Sequence, residues 1–246
     1  ALVAYQTAWL KTHYPAEFIA ANLSSEMDNT DRVAILLASA QNMNLEILPP
    51  DVNTSYSDFR ALDENQIAYG LAALKNMGTK TATVIVDFRE KHGKFDTVFD
   101  LCCIDSRAIN RKAMESLVQA GACDNLGGHR SQHFIVIDDA LRWGQKFNEE
   151  KISAQESLFG GDSAVSAMAP PMLPDIEKWS DEECLHREKE TIGFYLTGDP
   201  LEKYKDDLHE FTNIDLAAIP DKKPDEIKIG GIIRNVNNRY DKNNKP

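Results

Sequence analysis

Apolar positions recur at helical spacing along most of the chain, interrupted by short stretches that read as extended. Val3, Tyr5, Ala8, Trp9 and Leu10 predict a helix over residues 1–13 with an aromatic-rich face. Tyr5, Trp9 and Tyr14 are expected to pack between helices. Pro15 suits the first turn of a second helix reaching about Met27 through Phe18, Ile19 and Leu23. Thr30 is expected to cap a third, carrying Val33, Leu36 and Leu37. Residues 45–48 read as a short extended run stopped by Pro49 and Pro50. Residues 59–62 and 67–69, around a turn at 63–66, predict a β-hairpin. Residues 93–99 are expected to form a loop. A helix over 108–119 points Ile109, Met114, Leu117 and Val118 inward, and Arg111 and Lys112 outward. Past a turn at 120–122, Phe134, Ile135, Ile137 and Leu141 mark another helix. Ser180 and Glu183 are spaced as a capping box for a helix ending near Gly193, and a short helix then reaches Leu208. Residues 226–236 alternate like a strand with a glycine bend.

The stretch 69–89, YGLAALKNMGTKTATVIVDFR, organises the reading. Leu71, Leu74 and Met77 predict a short helix, and Ala82, Val84, Ile85 and Phe88 a second one starting near Thr79. The turn between them is Asn76–Met77–Gly78. Gly78 is free to take φ > 0 there, and asparagine is among the few other residues that tolerate it. The second helix opens beside Lys75 and Lys80 with its N–H groups pointing outward, an arrangement suited to a phosphate. These residues resemble a helix-hairpin-helix, a motif that grips nucleic-acid backbone without reading sequence. Asn76 stands where the family pattern has its first glycine. The second helical pair, on either side of residues 120–129, resembles a degenerate copy, with Arg107, Arg111 and Arg130 as candidate phosphate contacts and His129 as a weaker one.

Charge limits how much of the surface can do this. The 246 residues carry a formal net charge of −12, so any nucleic-acid contact must be local. Between Lys75 and Lys94 the balance is reversed: Lys75, Lys80, Arg89, Lys91 and Lys94 face only Asp87 and Glu90. The four cysteines have no zinc-finger spacing and read as reduced, mostly buried thiols. His129 and His133 could share a helix face, but no third or fourth metal ligand is near in sequence. Asp138–Asp139 and Asp206–Asp207 are adjacent pairs, which diverge on a helix, so neither predicts a two-metal centre. No catalytic or metal-binding residue is assigned. No apolar run is long enough to span a membrane. The first residue is not Met and falls inside an apolar helical pattern, so the chain is expected to be a piece of something longer.

Four blocks make the resemblance more specific: AYQTAWLKTHYPAEF (residues 4–18), SEMDNT (25–30), ILPPDVN (47–53) and the hairpin stretch. With LTGDPLEKY (196–204), they resemble consecutive pieces of the catalytic alpha subunits of the bacterial replicative polymerases, the C family. Gln155, Leu158 and Phe159 resemble the Gln-x-x-Leu-Phe sliding-clamp-binding peptide of those enzymes. They precede the small, Pro-rich, aperiodic residues 160–175, expected to be flexible. A Leu–Phe pair exposed beside such a segment needs a partner.

The resemblance implies a mainly α fold with a small β-hairpin. Residues 1–50 would close the fingers, 51–150 hold the β-hairpin and tandem helix-hairpin-helix, and 151–175 form the clamp peptide and linker. Residues 176–225 would be a helical connector and 226–246 the start of an OB-fold. It implies a parent DNA-directed DNA polymerase working on primer-template in the cytoplasm, with Mg2+ on palm carboxylates that lie upstream. This segment would hold no cofactor and be inactive alone. It would bind DNA backbone through Lys75, Asn76, Gly78, Thr79, Lys80, Arg107, Arg111 and Arg130, and the clamp, the beta subunit, through the peptide. Other holoenzyme subunits would be further partners. The alternatives are a helix-hairpin-helix DNA-repair protein such as a glycosylase, or a clamp-recruiting scaffold without enzymatic activity.

Overall fold

The computed structural model describes residues 2–104, 108–156, 169–213 and 226–233. They belong to two compact units, Ala1–Thr197 and Gly198–Pro246. The first unit begins with α1 (Leu2–His13), α2 (Pro15–Ser25) and α3 (Thr30–Asn42), then β1 (Glu46–Leu48), β2 (Arg60–Ala61) and β3 (Gln66–Ala68). A 3-10 turn (Leu71–Ala73) leads to α4 (Thr79–His92), α5 (Val98–Cys102), α6 (Arg111–Gln119), α7 (Arg130–Ile135), α8 (Ile137–Glu156) and α9 (Asp181–Ile192). The fold is mainly α with a small sheet, as the pattern predicts.

Pro15 opens α2, which buries Ala16, Ile19, Ala20 and Leu23 at intervals of one, three and four residues. That face packs on α3, β2 and β3. It therefore has little to offer α1, none of whose residues is buried. Tyr5 is 68% exposed and Trp9 42%, and Trp9 lies tilted against His13 and Tyr14, with ring centroids 4.5 and 5.7 Å apart. Trp9 thus packs on its sequence neighbours and Tyr5 stays exposed, where packing between helices was expected. The cap of α3 is Asn29, one residue before Thr30, its side chain accepting from the Arg32 N–H at 3.2 Å.

The expected hairpin is β2 and β3, antiparallel with Arg60 opposite Ala68 and Ala61 opposite Ile67. Asp63 Oδ1 accepts the N–H groups of Asn65 and Gln66, both at 2.8 Å, and so closes the turn. β1 adds to β3 in parallel, making a three-stranded sheet of order β1-β3-β2. One core runs from Ile19, Leu23 and Leu37 through Ile67 and Leu71 to Ile85, Phe99, Leu117 and Ile137. Residues on both sides of position 50 contribute to this core.

Residues 93–99 are only partly loop. Asp100 Oδ2 accepts the Thr97 N–H at 2.7 Å and starts α5, which buries Val98, Phe99, Leu101 and Cys102 and crosses α8. All four cysteines are free thiols. Burial, and then the neighbouring Cys103 and Asp100, push the Cys102 thiol up to about 12, so it stays protonated and unreactive.

The expected linker is anchored at both described ends. On one side α8 continues to Glu156. On the other, residues 169–180 form an extended strap over α7. Gln132 Nε2 donates to the Pro174 carbonyl at 2.7 Å, and Ser131 Oγ to that of Glu177 at 2.8 Å. Arg187 lies over the rings of Trp179 and Phe134, at 4.1 and 5.2 Å. Ser180 caps α9 by accepting the Glu183 N–H at 3.2 Å, while the Glu183 carboxylate turns to Arg187 Nε at 2.6 Å. Gly193, at φ 97°, ends the helix.

In the second unit a 3-10 turn (Glu202–Tyr204) precedes α10 (Lys205–Phe211). Residues 226–233 form no strand. They are held to Asn213 instead, through Lys228 N–H to Asn213 Oδ1 at 2.9 Å and Asn213 Nδ2 to the Glu226 carbonyl at 2.8 Å. The Asn213 N–H also donates to the Lys228 carbonyl, at 3.2 Å.

Candidate nucleic-acid interface

The first arm of the hairpin is shorter than its apolar spacing suggests. Gly70 lies against the backbone of Asp58 and Phe59, where a Cβ would come within 2.7 Å. At that distance the N–H groups of Leu71 and Ala72 bond to the carbonyls of Tyr56 and Ser57, at 2.8 and 2.9 Å. These tertiary bonds replace the helical ladder, so a single 3-10 turn stands where a helix was expected. At the tip it is Asn76, φ 59°, that takes the left-handed conformation. Gly78 sits at φ −81° as the N-cap of α4, contrary to the positive φ expected of it. The pattern's missing glycine is thus replaced by a residue that reaches the same backbone state.

That geometry leaves the start of α4 open. No side chain caps it, no acidic residue occupies its first turn, and Lys75, Asn76, Gly78, Thr79 and Lys80 are all exposed. Among the described residues neither Lys75 nor Lys80 has a carboxylate within ion-pair distance. Thr81 Oγ1 donates to the Ala108 carbonyl at 2.9 Å, tying α4 to the loop before α6. Arg89, counted with the basic stretch, turns inward and donates to the carbonyls of Val52 and Ser55, both at 2.8 Å.

The second pair is built differently. Asn110 caps α6, accepting the Ala113 N–H at 3.0 Å, and His129 and Gln132 cap α7 reciprocally. Both helix starts are therefore satisfied from within the protein. Arg111 is exposed but engaged by Glu115 at 2.8 Å and Asp138 at 2.9 Å. Arg130 is drawn inward: its side chain is 12% exposed and its guanidinium bonds Asp124 at 2.6 Å. It supports the fold rather than offering itself to a phosphate. Arg107, Leu158 and Phe159 lie outside the described residues. Gln155 falls in the last turn of α8, but its side chain is not among those described.

His129 and His133 do not converge. His129 Nδ1 meets Ser131 Oγ at 2.6 Å, whereas His133 is buried with Nε2 against the Gly127 carbonyl at 2.5 Å. The buried Nδ1 of His133 has no partner, and burial, chiefly, holds its pKa below the ordinary value. A histidine that stays neutral when folded binds fewer protons than its unfolded counterpart. Its contribution is thus complete above about pH 6.5 and is lost as pH falls through the lower folded pKa. His133→Gln, which can still donate to Gly127, is expected to flatten the decline in urea-unfolding free energy between pH 7 and 5. An unchanged slope would remove His133 from that role.

The family described as helix-hairpin-helix motif matches residues 44–133. DNA polymerase III subunit alpha of Vibrio cholerae is 37% identical over 235 residues, covering 95% of this chain and 20% of that protein. The subunit alpha of Xylella fastidiosa strain Temecula1 is 40% identical over 217 residues, 88% of this chain and 18% of that protein. That of Escherichia coli K12 is 37% identical over 212 residues, 86% and 18% respectively. The chain is homologous to one segment of DNA polymerase III subunit alpha. It spans about a fifth of the length of these relatives. Within this chain the motif match includes the whole first hairpin and α6, and stops inside α7. Sequence reasoning missed α9 as a wall of the site. The N–H of Lys75 donates to the Thr191 carbonyl at 3.1 Å. Asn76 and Gly78 border a groove of about 560 Å³ that Asp28, Glu190 and Gly193 also line. Among the described residues no helix is long and apolar enough to cross a membrane.

Proposed function

We propose that this chain is the part of a cytoplasmic replicative DNA polymerase that holds the DNA backbone and joins the enzyme to its sliding clamp. The observation that supports backbone binding is the uncapped start of α4, set between Lys75 and Lys80. Free N–H groups and a positive dipole end attract a phosphate oxygen, and two unpaired lysines add charge without selecting a base. Asp28 and Glu190, across the groove, repel phosphates from that side and favour the α4 end. Arg111 could add a weaker contact only by leaving its carboxylates, and Arg107 remains a candidate on sequence alone. The whole protein, on this reading, adds nucleotides to a primer-template with Mg2+ held outside this segment.

The test is the salt dependence of binding to a labelled primer-template. With about 2–4 phosphates neutralised, log K falls against log salt with a slope of roughly −2 to −4. Replacing Lys75 and Lys80 together by alanine flattens that slope by up to about 2. Binding that ignores salt, or depends on base sequence, would overturn the reading. Clamp binding without DNA binding would favour the scaffold. For the clamp, the supporting feature is the peptide of Gln155, Leu158 and Phe159. It begins in the last turn of α8 and precedes a strap that the protein holds in place.

A further inference from the structure

The helix-hairpin-helix match stops at residue 133, yet the hairpin is braced from beyond it. Lys75 N–H donates to the carbonyl of Thr191 in the last turn of α9, at 3.1 Å. Thr191 Oγ1 in turn donates to Gln119 Oε1 at 3.1 Å, at the end of α6. The Gln119 carbonyl accepts from Arg130 Nη1 at 3.4 Å. Arg130 Nη1 also lies 3.9 Å from Oε2 of Glu188, one turn before Thr191 on the same helix.

Glu188 is fully buried. Its Oε1 accepts the N–H groups of Leu196 and Thr197, at 2.6 and 2.9 Å, and its Oε2 accepts Thr197 Oγ1 at 2.6 Å. A buried carboxylate is costly unless its oxygens are satisfied, and here they are satisfied at one position of α9 only. A leucine could seal the same space at several positions of the helix. The carboxylate cannot, because a slip of one residue would strand it away from its three donors and Arg130.

We propose that Glu188 and Arg130 are positioning residues for the DNA-backbone grip: they fix the register of α9, which places the Thr191 carbonyl to hold Lys75. This rests on the backbone-binding reading above. The need for such a brace lies at Asn76. Even for asparagine φ 59° is less favourable than it would be for glycine, so contacts beside Asn76 help to hold it there. Two contacts do so here, the Lys75–Thr191 bond immediately before it and Asn76 Nδ2 on Ser116 Oγ at 3.4 Å. Without the first, the hairpin samples other conformations and must be ordered again each time it meets DNA.

The test compares the full chain with Glu188→Gln, and with the milder Thr197→Val, which removes one donor to Glu188. Amide exchange of Lys75 is expected to accelerate about tenfold or more in Glu188→Gln while that of Ile85 in α4 is unchanged, since only the brace is released. Affinity for the primer-template is expected to fall about three- to tenfold with an unchanged salt slope, because the same phosphates are contacted. Thr197→Val moves both readings the same way by less, and it decides the matter if Glu188→Gln fails to fold. Lys75 exchange that stays at the wild-type rate, or accelerates only in step with Ile85, overturns the proposal. So does wild-type affinity despite faster Lys75 exchange. If the wild type itself shows no salt-dependent binding, the backbone-binding reading falls, and Lys75 exchange alone then decides the brace.

Discussion

Clamp binding is expected to be abolished when Leu158 and Phe159 are both replaced by alanine, while the thermal unfolding midpoint barely moves. Each side chain contributes roughly 1.5–3 kcal/mol if fully buried in a partner's pocket. Ordering the peptide costs about 0.5–1.5 kcal/mol per immobilised side chain. What remains is at most about 5 kcal/mol, a Kd no tighter than roughly 0.2 mM from these two anchors, so losing both puts binding out of range. Gln155 adds direction more than affinity, because its amide exchanges water for clamp hydrogen bonds at small net gain. Titration of the sliding clamp against wild type and double variant, beside a melting curve of each, checks both halves. A drop of many degrees in the double variant would mean that these side chains belong to the chain's own core, and the clamp proposal would fail.

The largest expected effect on stability is at Gly144, inside α8. In an exposed helix, glycine to alanine gains about 1 kcal/mol. Here the sign is expected to reverse. A Cβ at 144 would stand 2.8 Å from Cys102 Cβ and run into the carbonyl of the same residue. The obstacle is the backbone of α5, which cannot swing aside as a long side chain can. Its Phe99 and Leu101 are buried in the shared core, so moving it disturbs the packing around them. Overpacking of this kind costs typically about 1–3 kcal/mol, enough to cancel the propensity gain and leave Gly144→Ala less stable than wild type. Gly144→Val, bulkier and β-branched, is expected to lose considerably more. Urea-unfolding midpoints at neutral pH measure this. A midpoint for Gly144→Ala above wild type would show that the two helices separate at little cost.

Gly144 also shows where sequence reading reaches its limit. By pattern it is an unremarkable residue in an amphipathic helix, and only the crossing of α5 over α8 gives it a role. The same holds for the basic residues. Arg89, Arg111 and Arg130 look alike in sequence, as cations near a nucleic-acid motif. The fold sends Arg89 to two carbonyls, Arg111 to two carboxylates at the surface and Arg130 inward against Asp124. Lys75 and Lys80 have no such partner among the described residues, and they stay exposed beside the open start of α4.

The sequence by itself determined the longer helices, the β2–β3 hairpin, the turn at Asn76–Met77–Gly78 and the stop at Gly193. Each rests on apolar periodicity or on capping and turn chemistry within a few residues, information that needs no distant contact. The family resemblance, too, was legible in the ordered blocks and in the hairpin stretch. Only the tertiary structure decided that β1 joins β3 in parallel, that the first hairpin arm is one 3-10 turn, and that α9 braces Lys75. Those outcomes depend on backbone groups meeting across long separations: β1 with β3, the 56–57 carbonyls with Leu71 and Ala72, and Thr191 with Lys75. A hydrogen-bonding group takes whichever partner the packed core brings within reach, and apolar spacing along the chain does not encode which one that is.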